Sequence, residues 1–334
     1  MAFFLVTGGC GFIGSHLCLA LQARGDTVRV LDDLSTGRLE NLAPGAELIC
    51  GDVADSSILQ TAMHGADGCF HLAAIASVER GTQDWLGTHR ANLTGSITVF
   101  EAARARCVPV VYASSAAVFG NQSAMPITED TPKLPISAYG ADKLGCEQQA
   151  RVAGIVHRIP TLGLRFFNVF GPRQDPSSPY SGVISIFCDR LSRGQPIAVY
   201  GDGGQTRDFV YVDDVVDALL AGMVNADITA PVYNVCTGRA TSVFVLAETI
   251  GLICGRVPVL QHRQVRLGEI RHSVGDPTRF RTALGLIDQR ELRYGLAEVI
   301  HWLKVGQPGA DALQSVGHGV ARDSGAAVSE AFTP

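Results

Sequence analysis

The feature that most constrains the fold is a glycine-rich turn near the start of the chain. Ala2–Thr7 is a continuous apolar run that predicts a buried strand, and residues 13–21 carry apolar side chains at helical spacing. Between them stand Gly8, Gly11 and Gly14, three residues apart. Glycine permits a tight turn, close approach of backbone N–H groups to a phosphate and close packing of helix on strand. The spacing therefore predicts a strand–turn–helix unit that binds a dinucleotide at the positive end of its helix.

An acidic residue at the end of the next predicted strand narrows the ligand. Asp32 ends the run from Thr27 and lies 18 residues after Gly14, where a carboxylate can accept hydrogen bonds from the adenosine ribose hydroxyls. A carboxylate there would repel a 2′-phosphate, so NAD is favoured over NADP, although the nearby Arg38 leaves NADP open. Asp52 follows the third predicted strand, and it either meets the adenine edge or caps a helix.

Strands without alternation, separated by helical stretches, continue through the N-terminal half. This pattern predicts an α/β fold, a doubly wound (Rossmann) parallel sheet covered on both faces, with ligands at the carboxyl ends of the strands. The remaining predicted elements are the strands Glu47–Cys50, Gly68–Leu72, Val108–Ala113 and Thr161–Phe167 and the helices Gln83–Arg106 and Ser137–Ala153.

The pattern changes after Asn168. Gly171–Gly182 is rich in loop residues, and short mixed elements follow it, which predicts a smaller mixed α/β domain. Val210–Met223, a strand turning into a helix, and Val232–Val235 are regular enough to rejoin the main sheet. The predicted division is a NAD-binding domain at 1–166, rejoined by about 207–236, a substrate-binding domain at 167–206 and 237–304, and a poorly ordered tail at 305–334.

Composition excludes several classes of protein. The formal net charge is −5 and Lys and Arg form no cluster, so no nucleic-acid partner is expected. The nine cysteines contain no C-x-x-C pair, which predicts buried free thiols in a reducing compartment and no metal site. No apolar run reaches the ~18 residues of a membrane span, and no basic residue precedes Arg24 as a signal peptide would require. We therefore expect a cytoplasmic protein with no membrane partner.

A second constellation carries the chemistry. Tyr139 and Lys143 are four residues apart, hence on one face of a helix. A free tyrosine, with a pKa of ~10, is a poor base at neutral pH. A lysine ammonium one turn away, together with a positive nicotinamide ring, can favour the phenolate. Ser114 and Ser115 end the fifth predicted strand, where such sheets place active-site groups. Ser115, Tyr139 and Lys143 are the predicted catalytic residues.

These motifs together resemble the extended short-chain dehydrogenase/reductases over about residues 2–304. The chain is most similar to their nucleotide-sugar epimerases, the group of UDP-glucose (UDP-galactose) 4-epimerase and UDP-N-acetylglucosamine 4-epimerase. Besides the glycine turn, Asp32 and the catalytic residues, the segments that carry the resemblance are His71–Ala74, Asn92, Leu164–Arg173 and Arg207–Asp214.

The resemblance implies a role for each predicted site residue. Tyr139 would take the proton of the sugar 4′-hydroxyl, Ser115 would hydrogen-bond the same oxygen, and Lys143 would bind the nicotinamide ribose. The implied cofactor site comprises Gly8, Gly11, Phe12, Ile13, Gly14, Asp32, Asp33, Asp52, Val53, Leu72, Ala73, Ala74, Asn92, Ser114, Tyr139 and Lys143. The implied substrate site comprises Ala76, Ser115, Asn168, Val183, Tyr200, Arg207, Arg266, Glu269 and Ser273.

Within that substrate site, the resemblance places Asn168, Arg207 and Arg266 on the UDP moiety and Tyr200 against the uracil. Structural interpretations stay open for both arginines. Arg207 is followed directly by Asp208 and preceded by Asp202, either of which offers an ion pair, and the alternative for Arg266 is a solvated loop residue.

The residues after Ser115 bear on the reaction. Relatives that dehydrate or decarboxylate the sugar place an Asp or Glu within the next two positions, whereas Ala116 and Ala117 stand here. The resemblance then implies an isomerase, in which transient oxidation at C4 gives a 4-keto sugar and NAD stays tightly bound and unchanged overall. Many epimerases of the group have Thr or Ser where Ala117 stands, which leaves Ser115 as the one hydroxyl of that pair.

Substrate choice and assembly complete the expectations. A bulky Tyr at the position of Ser273 is associated with plain glucose and galactose, so the small Ser273 suggests that UDP-GlcNAc and UDP-GalNAc are accepted. One alternative is a UDP-uronic acid 4-epimerase, with Arg173 or Arg271 beside the carboxylate, or another nucleotide-sugar-modifying enzyme. Another is a non-catalytic NAD-sensing protein, although such proteins typically lose the Tyr or the Lys. The resemblance also implies a homodimer that pairs the helices Gln83–Arg106 and Ser137–Ala153 across a two-fold axis.

Overall fold

The computed structural model describes residues 1–176, 182–265, 270–285 and 289–305. The strands in these ranges are β1 Phe3–Thr7, β2 Thr27–Asp32, β3 Glu47–Cys50, β4 Gly68–His71, β5 Val110–Ser115, β6 Thr161–Phe166, β7 Asn168–Phe170, β8 Ile197–Tyr200, β9 Thr206–Arg207, β10 Phe209–Tyr211, β11 Val232–Val235, β12 Thr241–Ser242, β13 Leu260–Arg263 and β14 His272–Ser273.

The helices are α1 Phe12–Ala23, α2 Ser56–Met63, α3 Val78–Gln83, α4 Trp85–His89, α5 Gly95–Arg104, α6 Ala138–His157, α7 Val183–Ser192, α8 Val212–Val224, α9 Val243–Cys254, α10 Thr278–Leu284 and α11 Leu292–Val305. Short 3₁₀ turns lie at Leu39–Asn41 and Ala116–Phe119, and a π turn lies at Arg90–Thr94. None of the helices in the described ranges is long and apolar enough to cross a membrane.

Seven parallel strands form the central sheet, in the order β11-β6-β5-β4-β1-β2-β3. From β1 the chain runs outward through β2 and β3, then crosses to the other side of β1 to form β4. This reversal opens a crevice at the carboxyl ends of β1 and β4, the place where doubly wound sheets bind ligands. The predicted α/β Rossmann fold is therefore confirmed.

Both faces of the sheet are buried, which explains why its strands read as unbroken apolar runs. Side chains alternate along β5. Val111 belongs to the core that contains Leu17 of α1 and Leu219 of α8. Val110 and Tyr112 belong to the core that α2, α5 and α6 cover. Parallel strands packed in this way hold their carboxyl ends at one rigid edge.

The remaining strands form three small sheets outside the main one. β7 pairs with β10, β8 pairs with β13, and β9 lies between β12 and β14. A separate core, which includes Phe170, Ile184, Phe187, Leu246 and Val299, packs these sheets with α7, α9 and α11. The second half of the chain thus makes a smaller layer from segments that are far apart in sequence.

Two predicted elements differ from the structure. The strand at the start of Val210–Met223 does not join the main sheet, because β7 already extends past β6 and pairs with β10 instead. The helix that follows does pack on the sheet, and Val232–Val235 pairs with β6 as predicted. The single helix expected over Gln83–Arg106 is α4, the π turn and α5, and π turns of this kind are frequent at functional sites.

Candidate cofactor cleft and catalytic edge

The glycine turn is built so that no side chain fits inside it. Gly8 has φ +72°, and a Cβ on it would lie 2.7 Å from the backbone nitrogen of Ala73. A Cβ on Gly14 would lie 2.1 Å from the carbonyl oxygen of Gly8. Gly11 is the N-cap of α1 and makes no side-chain hydrogen bond, so no polar side chain of the N-cap covers the first amides of the helix. These amides and the helix dipole suit a pyrophosphate.

Asp32 ties the turn to the loop after β2. Its carboxylate is 6% exposed and accepts hydrogen bonds from the backbone N–H groups of Cys10 and Leu34, both at 2.9 Å. Burial raises the pKa of Asp32, and the two backbone donors oppose that rise. A Cβ on Gly37 would meet the carboxylate at 2.7 Å, so the backbone on that side passes close to it. The position suits a carboxylate that receives two adjacent ribose hydroxyls.

A cleft of about 570 Å³ runs from this turn across the sheet edge. It is lined by most of the predicted cofactor contacts, namely Gly8, Gly11, Phe12, Ile13, Gly14, Asp32, Asp33, Asp52, Val53, Leu72, Ala73 and Ala74. Ala76, which the sequence analysis assigned to the substrate, lines the same cleft. The size and the absent Cβ atoms fit a dinucleotide, so the residues present match the cofactor that the sequence predicts.

Three further lining residues were not predicted to lie at the cofactor site, and one of them, Arg173, was considered only as a contact for a uronic acid. Arg173, Gln174 and Asp175 follow β7 and reach the cleft from the second half of the chain. Asp175 forms an ion pair with Arg38, which also lies 3.5 Å from Glu40. These two carboxylates offset the charge of Arg38, which weakens the case for a 2′-phosphate and favours NAD.

Asp52 does not cap a helix. Asp55 is the N-cap of α2, because its carboxylate accepts from the backbone of Ser57 and Ile58. Asp52 accepts from the backbone of Ala54 at 2.8 Å and pairs with Arg90 at the cleft. The capping interpretation is therefore wrong.

Asn92 is fully buried in the π turn and supports the cleft from behind. Its amide brackets the backbone of Ile75, accepting from the N–H at 2.8 Å and donating to the carbonyl at 3.3 Å. It is not among the residues that line the cleft. In this structure Asn92 positions the loop after β4, and Ile75 and Ala76 of that loop face the cleft.

A buried polar chain lies beneath the same loop. Thr7 contacts His71 Nδ1 at 2.8 Å, His71 Nε2 contacts the Ser96 hydroxyl at 3.0 Å, and Ser96 donates to the carbonyl of Asn92 at 2.6 Å. Because Ser96 donates onward, its oxygen can accept from His71 Nε2–H, and Nδ1 then accepts from Thr7. Burial, with a smaller contribution from Lys143, lowers the pKa of His71 to about 3. The imidazole is thus a neutral spacer.

The start of α6 brings the predicted catalytic residues to the same edge. Ser137 caps the helix by accepting from Gly140 N–H at 3.1 Å, which places Tyr139 in the first turn. A Cβ on Gly140 would lie 2.5 Å from the carbonyl oxygen of Ala117, so glycine allows α6 to approach the turn that follows Ser115. Ser115 accepts from Ala117 N–H at 3.1 Å.

Lys143 is 2% exposed, and its ammonium donates to the carbonyl of Ala113 at 2.9 Å. The ammonium lies 5.9 Å from the centre of the Tyr139 ring. The strand that carries Ser115 and the helix that carries Tyr139 and Lys143 are therefore joined at Ala113, which lines the cleft, whereas Ser115, Tyr139 and Lys143 are not among the residues that line it.

Ser114 differs from its predicted role. Its side chain is buried at 2% exposure and donates to Glu147 Oε1 at 2.6 Å, on the face of β5 that α6 covers. Adjacent residues on a strand point to opposite faces, and Ser114 and Ser115 are such a pair. The hydroxyl of Ser114 is therefore committed to the protein interior, and Ser114 is not among the residues that line the cleft.

The predicted substrate residues lie on the small sheets. Arg207 ends β9 and pairs in register with Ser273 on β14. Asn168 begins β7 opposite Phe209, and its N–H donates to the carbonyl of Asp208 at 3.0 Å. Strand pairing thus brings Asn168, Arg207 and Ser273 into one neighbourhood. Tyr200 ends β8 and Val183 begins α7, while Arg266 and Glu269 lie outside the described residues.

Asp208 and Asp202, the two carboxylates considered as ion-pair partners of Arg207, bind other groups. Asp208 is fully buried and accepts from the backbone of Thr237 and Gly238 and from the Thr237 hydroxyl, at 2.6–2.9 Å. Asp202 pairs with both terminal nitrogens of Arg271, at 2.7 and 2.8 Å. Arg271, one of the two cations considered as a contact for the carboxylate of a uronic acid, is therefore bound to Asp202.

Within the described ranges, no group of three or more His, Cys, Asp or Glu residues is placed to hold a metal ion. The described cysteines are all free thiols. The site is therefore a dinucleotide cleft that meets a Ser–Tyr–Lys edge, followed by a turn in which Ala116 and Ala117 contribute no acid.

Comparisons with known proteins agree with this geometry. The family model described as NAD dependent epimerase/dehydratase matches residues 4–236. A UDP-glucose 4-epimerase from Mycolicibacterium smegmatis is 37% identical over 308 residues, which cover 90% of this chain and 98% of that protein.

Two solved structures share both fold and sequence. A UDP-N-acetylglucosamine 4-epimerase from Methanobrevibacter ruminantium, in complex with UDP-N-acetylmuramic acid, has a TM-score of 0.87 at 33% identity and covers 91% of this chain and 98% of its own. A UDP-glucose 4-epimerase from Thermus thermophilus, in complex with NAD, has a TM-score of 0.83 at 33% identity and covers 92% and 99%. The chain belongs to the NAD-dependent epimerase/dehydratase family, as an extended short-chain dehydrogenase/reductase of the nucleotide-sugar epimerase group, and its cofactor is NAD.

Proposed function

We propose that this protein is a UDP-hexose 4-epimerase, an isomerase that inverts the configuration at C4 of the sugar. The observation that carries the proposal is the bond from Lys143 to Ala113 at the cleft, which brings the helix of Tyr139 and Lys143 to the end of the strand of Ser115, followed by a turn with no acid at Ala116 or Ala117. When bound, NAD would supply the acceptor for the C4 hydride in forming a 4-keto sugar and the donor for its return to the other face, and the cofactor would be unchanged overall.

The protein's part in this reaction is to hold and move one proton. Tyr139 takes the proton of the 4′-hydroxyl as the C4 hydride leaves, and it gives the proton back when the hydride returns. Ser115 hydrogen-bonds the same oxygen and keeps it aligned with the phenol. Without a carboxylate at Ala116 or Ala117, no group in this turn can deprotonate C5 or protonate C6, so dehydration is not supported.

Lys143 has two tasks in the proposed mechanism. Its ammonium lies 5.9 Å from the centre of the Tyr139 ring and places a positive charge beside the proposed base. An ammonium has three N–H donors, and Ala113 takes one of them. The others are available for the ribose hydroxyls of the cofactor. Charge and position of Lys143 therefore serve both proton transfer and cofactor orientation.

The small sheets are the proposed site for the UDP moiety. Arg207 and Asn168 would contact the phosphates and the uridine, with Tyr200 and Val183 near the base. Arg266 and Glu269 belong to the same proposed set, although they lie outside the described residues. Support comes from the strand register, which gathers Asn168 and Arg207 beside the carboxyl end of β6.

Ser273 is the proposed determinant of sugar choice. It pairs in register with Arg207, so it lies beside the proposed phosphate contact. A small side chain leaves room for a 2-acetamido group. We therefore extend the proposal to UDP-GlcNAc and UDP-GalNAc, accepted beside UDP-Glc and UDP-Gal.

A homodimer is the proposed assembly. Apolar side chains are exposed on the outer faces of α5 and α6, at Ile97, Val152, Ile155 and Val156, which are 42–62% exposed. Two copies that packed these helices together would bury those side chains.

The test is a panel of four UDP-hexoses incubated with purified protein, with products assigned by NMR. We expect the C4 epimers to reach the same equilibrium ratio from either member of a pair, with no net build-up of reduced cofactor. Stoichiometric NADH formation would indicate a dehydrogenase and contradict the proposal. Turnover of the acetamido pair tests the role of Ser273, and its absence would restrict the enzyme to UDP-Glc and UDP-Gal.

A further inference from the structure

The strand that carries Ser115 is held on one side only at its end. β5 pairs with β4 as far as Tyr112 but with β6 as far as Ser115. Its last residues, Ala113 to Ser115, therefore overhang β4, and Ala113 lines the cofactor cleft. A strand end with a single neighbour is prone to fray, yet a proton-transfer group has to be held to within about 0.5 Å. Something besides sheet pairing must fasten this end.

A buried cluster of three side chains meets the overhang from behind. Glu147 of α6 makes a two-pronged ion pair with Arg165 of β6, with Nε to Oε1 and Nη2 to Oε2 both at 2.8 Å. Both side chains are 5% exposed. Ser114 donates to the same Oε1 at 2.6 Å. Because Ser114 and Arg165 face each other in register, one carboxylate joins β5, β6 and α6.

The cluster holds the chain on both sides of Ser115. Ser114 lies directly before it, and the guanidinium of Arg165 lies 5.0 Å over the ring of Phe119, in the turn that follows it. Glu147 is one helical turn beyond Lys143, which donates to Ala113. The same helix therefore hydrogen-bonds the overhang at two successive residues, Ala113 through Lys143 and Ser114 through Glu147.

We propose that Ser114, Glu147 and Arg165 form a positioning clasp that aligns Ser115 with Tyr139 and Lys143. The inference rests on the proposed function, since it assigns these residues to the proton-transfer edge of that enzyme. None of the three is expected to touch the sugar. The clasp carries one negative and one positive group in contact, so it fixes geometry without adding net charge beside the phenol.

Ser114 is the residue at which to test the clasp. Replacing Glu147 would leave the Arg165 guanidinium buried without its partner, and the chain could then fail to fold. Ser114→Ala removes only the tether to β5 and keeps the ion pair. Misplacement of a reacting group by a fraction of an ångström slows chemistry more than it weakens binding.

We expect Ser114→Ala to lower kcat about tenfold, while KM for the UDP-sugar and the NAD content of the protein stay close to wild type. Ser114→Thr, which restores the hydroxyl, should recover most of kcat. Ser114→Cys keeps the volume with a weaker donor and should fall between them, and it replaces the alanine variant if that fails to fold.

The matched control is Thr161→Val. Thr161 also ties a buried strand to α6, through a 3.5 Å bond to the carbonyl of Ala150, but at the opposite end of β6. It should cost stability without lowering kcat. Equal kcat values for Ser114→Ala and Thr161→Val would overturn the clasp, as would a loss expressed in KM alone.

Hydrogen exchange tests the clasp without any substrate. In Ser114→Ala, peptides spanning residues 110–119 should exchange faster than in wild type, and Thr161→Val should leave them unchanged. Unchanged exchange in Ser114→Ala would overturn the clasp. A wild-type protein that converts none of the UDP-sugars counts against the proposed function alone, because the exchange result still decides the clasp.

Discussion

The cofactor cleft and the small-sheet layer on the other side of the edge are built in different ways. The cleft is built around a glycine turn at strand ends that one sheet holds in place, and a methyl group at Gly8 or Gly14 would collide with the backbone of another part of the chain. The small-sheet layer is made of two- to four-residue pairings between distant segments, such as Arg207 with Ser273. Its proposed contacts are side chains.

This difference teaches where specificity can vary. A turn that binds its ligand through backbone N–H groups accepts one ligand shape, because the fold itself fixes the positions of those groups. A site made of side chains on short strands can change its ligand by substitution without loss of the sheet. The two solved structures compared above have the same fold as this chain but are named for different UDP-sugars. A fixed cofactor turn beside a variable layer of side chains predicts this pattern.

The largest expected effect is a loss of kcat that leaves the binding of NAD and of the UDP-sugar unchanged. Tyr139→Phe keeps the ring in the first turn of α6 and removes only the proton acceptor. We expect kcat to fall by roughly 10²–10⁴-fold, the usual contribution of a general base, with NAD still bound and KM little changed. Turnover at the wild-type rate would exclude Tyr139 as the base. Absorbance of the purified protein reports whether NAD is retained.

A methyl group in the backbone-built region should come next. In Gly14→Ala the new Cβ would lie 2.1 Å from the Gly8 carbonyl, and backbone cannot yield as a flexible side chain does. We expect a stability loss of about 1–3 kcal/mol and a protein that purifies without NAD. Denaturant unfolding and the absorbance ratio measure the two effects. A variant that retains NAD at wild-type stability would show that the turn is more plastic than its geometry indicates.

The parts of the fold that could be predicted from the sequence are those specified by neighbouring residues. The glycine turn, β2 and β3 were placed at the residue, because strand, turn and helix signals lie within one short stretch. Tyr139 and Lys143 fall on one helix as their spacing predicts. In each case the information is local. The roles of these residues, and the domain boundaries, stay predictions.

The errors came from non-local pairing and from strands buried on both faces. Nothing near Phe209 indicates that β10 pairs with β7, since the partner lies 41 residues earlier in the chain. Ser114 and Ser115 have the same side chain on a strand without polar alternation, so the sequence does not show which faces the cleft. Arg173 reaches the cleft through a left-handed backbone conformation, φ +67°, that its sequence does not signal.

The third prediction concerns the buried polar floor of the cleft. His71 has a pKa of about 3 in the folded protein, against 6.5 for its ordinary value. Between these values the unfolded chain binds a proton that the folded protein refuses, so stability is fully present above pH 6.5 and falls as the pH drops. From pH 7 to pH 5 this group alone should cost about 2 kcal/mol.

The measurement is the free energy of unfolding in urea at both pH values, for wild type and His71→Asn. Other groups titrate in the same pH range, so the quantity compared is the change in the free energy of unfolding between the two pH values, for wild type and for the variant. His71→Asn should lose less stability on acidification than wild type, by about 2 kcal/mol. His64→Asn, at an exposed position after α2, is the control for the substitution itself. Equal changes for wild type and His71→Asn would contradict a neutral buried imidazole.

The smallest expected effect tests the link between the two regions. Arg38, after β2, pairs with Asp175 in the segment that follows β7, and Pro172 of that segment accepts from His16 Nε2 at 3.0 Å. The segment therefore crosses the cleft and is fastened to the cofactor side at two points. The Arg38 and Asp175 side chains are 36% and 25% exposed, so solvent screens the pair and its contribution is about 0.2–1 kcal/mol.

Arg38→Ala should therefore release NAD only about two- to fivefold faster than wild type, as the upper end of that free-energy range converts to a rate. Displacement of bound NAD by an excess of a fluorescent analogue gives the rate, and added salt should shrink the difference because the pair is partly exposed. Asp175→Asn should match Arg38→Ala, and the double variant should add nothing further. Arg24→Ala, which breaks a pair with Asp26 away from the cleft, is the control. Additive losses in the double variant would mean that the two residues act on the cofactor separately, and the segment would then not be a fastening between the regions.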